Sequence, residues 1–591
     1  MNSFAAKFLN FIRVGVMVSA GRCPLLITCT SVLAVVGVLL VHDAAPKASV
    51  LVLQRVLMAA ALGVPLAFGI TIFRERHLAG RWLELVGLCL LAGYFLLPKA
   101  GLFDEPYFYG IQWAFLLAGL HCFCAVIGFL VGAETRGFWQ FNHQIFSRFI
   151  LVSIYSAVLV GGMELALLSA DKLFSLKLKY AYADTAILII GFFHPFFFVA
   201  GVPGDWKALD SEAGYPQVMK VFTQAVLAPL VAVFTGILYV YALKIAISQD
   251  WPHGWVALPV LLLSVFGILA ALLLHPLKND PNERWSRWFT KYFPRALAPL
   301  AVLLLLSIRV RITEYGLTEL RYIGVAAGFW LLGWCFTFSW APAAGIRWVP
   351  ISLGLVSLLS AFGPASATAL SKRSQQDRFS SMLEMFKIRE QMVNRQGSDV
   401  WLVSENYRNL EQTLRYLIET QGKESVAAIL EPIWKSEWSQ QQLRSWVLSG
   451  EILSSMKVRE SRKNEQRAHH FWYLDQSRAL SESGFGRTSI FPGLTARPNE
   501  KVTDGEVWMI LEKGALKLSF AETGPFTAVP LETMLAALPF RSDSKMSPES
   551  LRIDWQHEGH SFRIVFRELD GEHFSDGTVQ ITTCKLVLFE R

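Results

Sequence analysis

One short segment carries most of the residues whose types could do chemistry. Arg309-Val-Arg311-Ile-Thr-Glu314-Tyr315-Gly316-Leu-Thr318-Glu319-Leu-Arg321-Tyr322 joins two long apolar runs where a plain hairpin would suffice. Arg311 and Glu314 stand three apart, a spacing at which opposite charges meet on a helix. Gly316 permits a sharp bend. Arg309, Arg311, Glu314, Tyr315, Glu319 and Arg321 therefore form a candidate ligand-binding cluster, suited to an anionic head group or substrate held by the arginines. The blander alternative is an interfacial anchor, with tyrosines and arginines at head-group level. The apolar stretch before the segment runs only from Ala296 to Ile308. At 1.5 Å per residue it covers about 20 Å, short of the roughly 30 Å bilayer core. A helix crossing there carries Arg309 and Arg311 into the outer bilayer, and Glu314 and Glu319 are the nearest carboxylates that can partner them.

Other ionisable groups lie inside apolar runs. Glu164 sits beside Gly161 and Gly162, which would let another helix approach closely; His194 precedes Pro195, and His121 lies in an earlier run. A charge in hydrocarbon costs about 2.5–3.5 kcal/mol on insertion scales, so Glu164 and His194 are expected to face the bundle interior. The alternative is a neutral histidine or protonated glutamate hydrogen-bonded between helices. Asp104-Glu105 suits either a catalytic or metal-binding loop or, more simply, a solvated one. His557-Glu-Gly-His560, with His573 nearby, lacks the four-residue helical spacing of a metalloprotease pair and reads as two turn histidines. The sequence has no phosphate-binding glycine loop, dinucleotide fingerprint, Cys-x-x-Cys pair or nucleophile elbow. The expectation is no catalytic residue, no metal site and no cofactor.

The elements that must position these groups are set by composition. Of 591 residues 53% are hydrophobic and 17% charged, against about 25% charged in soluble chains. The excess of apolar residues ends near Ala369, which excludes a purely soluble enzyme, a disordered chain and a disulfide scaffold. Runs near the length of a membrane span are Leu25–Val41, Val56–Phe73, Trp82–Leu97, Ile111–Val131, Phe149–Leu168, Thr185–Val199, Val221–Ile247, Trp255–Leu274, Ala296–Val310, Tyr322–Phe338 and Trp348–Phe362. They predict about eleven transmembrane helices; continuous rather than alternating apolarity excludes a barrel. Pro65, Pro195, Pro229, Pro259 and Pro299 fall inside these runs and are tolerable in membrane helices. The net charge of +8 comes without an aromatic-interleaved basic block, so no nucleic-acid partner is expected. Six of seven cysteines lie in or beside apolar runs and Cys584 stands alone in the tail, which leaves redox compartment unreadable.

Phe4, Phe8 and Phe11 at helical spacing, with Lys7 and Arg13, predict an amphipathic segment over residues 1–24 rather than a cleaved signal. The helical membrane domain then spans 25–369. Arg74, Arg76, Arg81, Arg136, Arg148 and the Lys278–Arg295 cations favour a cytoplasmic N-terminus, with Lys172, Lys177 and Lys179 counting against it. Eleven spans put the tail outside; ten, should the short Ala296–Ile308 run fail to cross, put it inside. The tail is expected as a soluble α+β domain: a helical hairpin over 370–458, through the Tyr407, Leu410, Leu414, Leu417 stripe, Gly422 and Pro432, then a β-rich module over 459–591. Lys457 to His470 reads as a linker. Leu516, Leu518 and Phe520 after Lys513-Gly514, Phe562, Ile564 and Phe566, and Thr578 to Phe589 read as strands, and Leu531 to Leu538 as a short helix.

The segment Arg-x-Thr-Glu-Tyr-Gly-Leu-Thr-Glu-x-Arg-Tyr from Arg311 to Tyr322 resembles a bacterial membrane family, the domain of unknown function 4153. Phe141-Asn-His143 and Gly363-Pro-x-Ser-Ala-x-Ala-Leu-Ser371 with Arg373-Ser-Gln375 support it. The resemblance covers roughly Phe138 to Gln375 and implies a bacterial polytopic membrane protein without an assigned activity. Three functions compete. A non-enzymatic envelope protein of the inner membrane, acting as sensor, assembly partner or scaffold through a periplasmic C-terminal domain, fits best. Its partners would be the lipid bilayer, with an envelope protein or an anionic lipid head group as further candidates. A transporter or channel would use the polar residues at depth, though no inverted repeat is visible. A membrane transferase acting on a lipid-linked donor would need a larger loop than Asp104-Glu105 offers.

Overall fold

A computed structural model describes residues 16–42, 46–98, 100, 106–130, 135–176, 178–211, 214–248, 256–341, 345–394, 399–431, 433–440, 444–461, 467–474, 487–495, 501–504, 507–512, 515–519, 527–529, 544–546, 551–557, 560–574 and 579–590. Two compact units emerge, one of Met1–Ser398 with Leu410–Met456 and one of Asp399–Asn409 with Lys457–Arg591.

In the first unit every apolar run becomes a helix, because a hydrocarbon environment leaves backbone groups only internal partners. The helices are α1 Pro24–Val41, α2 Ser49–His77, α3 Trp82–Phe95, α4 Phe108–Phe129, α5 Arg136–Phe174, α6 Ala181–Ala200, α7 Gln217–Ser248, α8 Ala257–Leu277, α9 Arg284–Tyr315, α10 Glu319–Trp340 and α11 Trp348–Ala361. Nine of them, among the described residues, are long and apolar enough to cross a membrane; α3 and α11 are shorter. The stretch expected to end in too short a helix is instead embedded in the 32-residue α9, with Pro294 and Pro299 inside it. Flanking residues on both sides continue the helix, so its length of about 48 Å exceeds the bilayer core.

Prolines shape two other helices. A π-turn over Ile189–Phe193 precedes Pro195 in α6, and another over Phe222–Leu227 precedes Pro229 in α7. The missing proline N–H and the clash with the carbonyl four residues back make the wider turn the local solution. One packing core joins α7 to α10, around buried Leu263, Phe289, Leu300 and Trp334. Here α8 and α9 touch closely at Gly267, where a Cβ would fall 1.9 Å from the Phe293 ring. A second core joins α1, α2, α4, α5 and α6 around Phe68, Phe129 and Phe141.

Helix α12, Ala367–Met385, starts at Ser366, whose hydroxyl accepts from the Ala369 N–H. Residues 410–456 belong with the apolar helices, so the compact units do not divide at 369 and the helical stretch is not a separate hairpin domain. Its apolar stripe of Leu410, Leu414 and Leu417 is fully buried in that unit.

The second unit is built of strands. β1 Val400–Val403 pairs in parallel with β2 Val458–Ser461. Val458–Ser461 and Arg467–Leu474 are strands, so the described parts of the polar stretch expected as a linker pair instead, residues 462–466 lying outside the described residues. A six-stranded sheet has the order β4 Arg487–Thr495, β12 Val579–Glu590, β11 His560–Phe574, β3 Arg467–Leu474 and β9 Ser544–Met546, with β10 Arg552–His557 also on β11. A four-stranded antiparallel sheet runs β5 Lys501–Asp504, β6 Val507–Glu512, β7 Ala515–Ser519 and β8 Thr527–Ala528. The expected alternation holds: Leu516, Leu518, Phe562, Ile564 and Phe566 are all buried in one core. Residues 1–15, Asp104-Glu105, Lys513-Gly514, Phe520, Leu531 to Leu538 and the His557, His560 and His573 side chains lie outside the described residues.

Candidate functional site at the elbow between α9 and α10

The charged segment is an elbow of three residues between two long helices. Gly316 closes α9 by donating its N–H to the Ile312 carbonyl at 2.8 Å. It holds φ at +71°, a conformation that favours glycine. A Cβ there would also lie 2.6 Å from the Gln375 side-chain nitrogen. The freed backbone groups of the elbow are then met by α12. Gln375, itself buried, donates to the carbonyls of Tyr315 (2.9 Å) and Leu317 (3.0 Å), and the Leu317 N–H donates to Ser374 Oγ at 2.9 Å.

Charge gathers around one ring. The guanidinium carbons of Arg311, Arg321 and Arg378 lie 5.6, 5.6 and 5.8 Å from the Tyr315 ring centroid. Each such contact contributes about 0.5–1 kcal/mol where water reaches it. Arg321 also donates to the Tyr315 and Gly316 carbonyls at 3.2 and 2.6 Å, and Arg378 to the Glu314 carbonyl. The Arg378 Nε is buried without a partner among the described residues, and burial pushes that guanidinium below its usual range. Arg311 and Glu314 meet at 4.0 Å, with the Glu314 side chain half exposed.

Glu319 does not serve the arginines. It is buried, accepting from the Tyr416 hydroxyl on one oxygen and from the Gln421 amide on the other, at 2.9 Å. Burial and the adjacent Glu319 push the Tyr416 phenol above its ordinary range. The expectation that Glu319 would converge on the arginines is thereby corrected. Glu319 and Arg321 are two apart, about 200° around a helix, so one face cannot present both. Arg309 relates to Arg311 in the same way; it is exposed and stands apart from the Tyr315 ring. Tyr322 closes the elbow by donating to the Ala365 carbonyl at 3.0 Å. Tyr416, Gln421 and Arg378 were not anticipated, because no local pattern links them to residues up to 102 positions away.

The other ionisable residues sit elsewhere. His194 lines a cavity of about 410 Å³ among α1, α2, α4, α5 and α6, together with His121 and Asn142. Its Nε2 lies 3.1 Å from Ser153 Oγ, and its ring meets Phe149 edge-on at 5.3 Å. The His121 Nδ1 lies 2.8 Å from the Leu117 carbonyl. Glu164 is half-buried on α5, and among the described residues nothing lies within 4 Å of a Cβ at Gly161 or Gly162. The close helix approach expected there is absent, and exposed Val158 and Leu165 flank the pair.

The model of a family described as a domain of unknown function, DUF4153, matches residues 29–384. The chain belongs to this family. The DUF4153 match takes in the elbow, every apolar helix from α2 onward and nearly all of α12. An uncharacterised protein of Pasteurella multocida is 24% identical over 270 residues, covering 45% of this chain and 44% of that protein. The chain thus matches less than half of that relative's length. No solved structure matches it.

Proposed function

We propose that this DUF4153 protein is a non-enzymatic inner-membrane protein that senses an anionic group at the elbow and passes the signal to the helices packed against it. The observation that carries this reading is the division of labour among the charges. The buried carboxylate, Glu319, is consumed in holding Tyr416 and Gln421, while three guanidiniums crowd Tyr315 with only the half-exposed Glu314 beside them. That leaves a donor-rich, cationic surface suited to a head-group anion.

Eleven crossings with the N-terminus in the cytoplasm agree with the way the loops pair. Arg74 and Glu84 bond at one end of the bundle, and the Tyr107 N–H donates to the Glu419 carbonyl at the other, at 2.9 Å. This pairing supports a crossing by α3. Arg347 donates to the Phe129 carbonyl (2.9 Å) at the first end, and Tyr322 reaches Ala365 at the second, which supports a crossing by α11 in the same way. The first end also collects Arg22, Arg76, Arg136 and Lys278 to Arg295, as a cytoplasmic face should. The elbow and the strand-rich tail then lie on the periplasmic side.

Hydrogen exchange of the full chain in nanodiscs, with and without phosphatidylglycerol, tests the reading. Anionic lipid should slow exchange over residues 315–322 and 417–421, and the response should vanish in Arg311→Gln/Arg321→Gln/Arg378→Gln. A wild-type response that is absent, or unchanged in the variant, reduces the elbow to a structural brace.

A further inference from the structure

At the opposite end of α9 lies a second basic site. A cavity of about 520 Å³ opens between the end of α8, the first half of α9 and the end of α10. Its lining carries the cations Lys278, Arg287, Lys291 and Arg295 together with His275, and among the described residues no aspartate or glutamate lines it. Arg287, Lys291 and Arg295 follow each other at four-residue intervals, so α9 presents all three from one face. The nearby acid Glu283 is engaged by Lys220 and Gln224 instead.

The rest of the polar lining is Asn279, Thr290, Trp334 and Ser339. Trp334 and Ser339 are buried, at 1% and 8% exposure. The Trp334 indole N–H and the Ser339 hydroxyl have no hydrogen-bond partner among the described residues. Arg295 braces this wall by donating to the Ser339 carbonyl at 3.0 Å, and the Lys278 ammonium lies 2.9 Å from the His275 Nε2. Burial lowers the proton affinity of Lys278, as expected of an ammonium whose surroundings supply no anion.

Excess positive charge over two buried polar groups without partners among the described residues, Trp334 Nε1 and Ser339 Oγ, suits a ligand that is negatively charged and rich in acceptor oxygens. We propose that this cavity binds the phosphate of an anionic phospholipid head group. A phosphate oxyanion is the shared chemistry of a lipid and of free phosphate. The lipid is favoured by the exposed aromatic row beside the cavity: Trp285 stacks on Trp288 at 5.2 Å and Trp288 meets Tyr292 at 5.6 Å. Such rows mark head-group level. The cavity also falls within the range that holds small amphiphiles. The inference depends on the membrane reading above but not on the elbow as a sensor.

Native mass spectrometry of the full chain in neutral detergent, titrated with phosphatidylglycerol, tests it. Arg287→Gln/Lys291→Gln/Arg295→Gln should weaken retention at least tenfold, and Trp334→Phe, which removes only the indole N–H, about threefold. The comparison is repeated in an Arg311→Gln/Arg321→Gln background, which removes any lipid held at the elbow; the tenfold loss should persist there, which separates failure of one site from failure of the other. Phosphatidylcholine should be retained equally poorly by wild type and variant. Retention of phosphatidylglycerol within twofold in the triple variant overturns the proposal. Displacement of the lipid by inorganic phosphate at matched concentration reassigns the site to the free ion and overturns the head-group assignment.

Discussion

The two ends of α9 carry similar charge and treat it differently. At the elbow, backbone carbonyls, Gln375, Tyr416 and Gln421 absorb most of the polar groups, and charge is woven into the joint between helices. At the other end, the cations stand beside the buried Trp334 indole N–H and Ser339 hydroxyl, which have no partner among the described residues. A satisfied network fixes a shape, whereas an unsatisfied one reserves its bonding for something else. Charge density alone does not separate the two; the accounting of partners does.

That contrast makes the elbow the fragile end. Glu319→Ala should cost about 3 kcal/mol, because two buried donors lose their shared acceptor together. Thermal unfolding in detergent measures it, and Glu319→Gln, which keeps one acceptor, should recover part of the loss. An alanine variant as stable as wild type would erase the difference between the ends. Gly316→Ala should cost about 2 kcal/mol through its left-handed backbone and the overlap with Gln375. Its effect should shrink in a Gln375→Ala background, which a double-mutant cycle reads directly.

Alkali provides a subtler probe. The Tyr416 phenol is held above its ordinary value of about 10 in the folded chain. A raised folded value means that its contribution is fully present below pH 10 and is lost as pH climbs above it, when only the unfolded chain releases the proton. Unfolding midpoints between pH 7 and 11 should therefore fall less steeply in Tyr416→Phe than in wild type. The smallest effect belongs to the cavity: Arg287→Gln/Lys291→Gln/Arg295→Gln should change stability by only about 0.5 kcal/mol in lipid-free detergent, since these side chains are exposed. A loss of several kcal/mol there would show that the cavity's cations hold the fold together as the elbow's buried network does.

Much of the fold was readable because membrane helices announce themselves by uninterrupted apolarity, and the β-module by strict alternation at Leu516, Leu518, Phe562, Ile564 and Phe566. The elbow was conspicuous as charge between apolar runs. Its wiring was not, since Tyr416 reaches Glu319 across 97 positions with no sequence pattern to mark the pair. Two features were within reach. Helical geometry already separates Glu319 from Arg321 and Arg309 from Arg311 by about 200°. The four-residue rhythm of Arg287, Lys291 and Arg295 likewise marks a helix face, although charge counting treated those residues as loop. The placement of residues 410–456 with the membrane helices follows from long-range burial of Leu410 and Leu414, which a local stripe predicts without naming its partner.

Helix α9 also sets a mechanical condition on its surroundings. Arg295, Val302, Leu306 and Arg309 are all exposed along it. The rise between the two arginines is only about 21 Å, against a hydrocarbon thickness of about 30 Å. Each arginine side chain can reach several ångströms toward water, and the two reaches together close most of that gap. A crossing by α9 therefore requires Arg295 and Arg309 to extend toward opposite head-group levels, which makes their long stems part of the span.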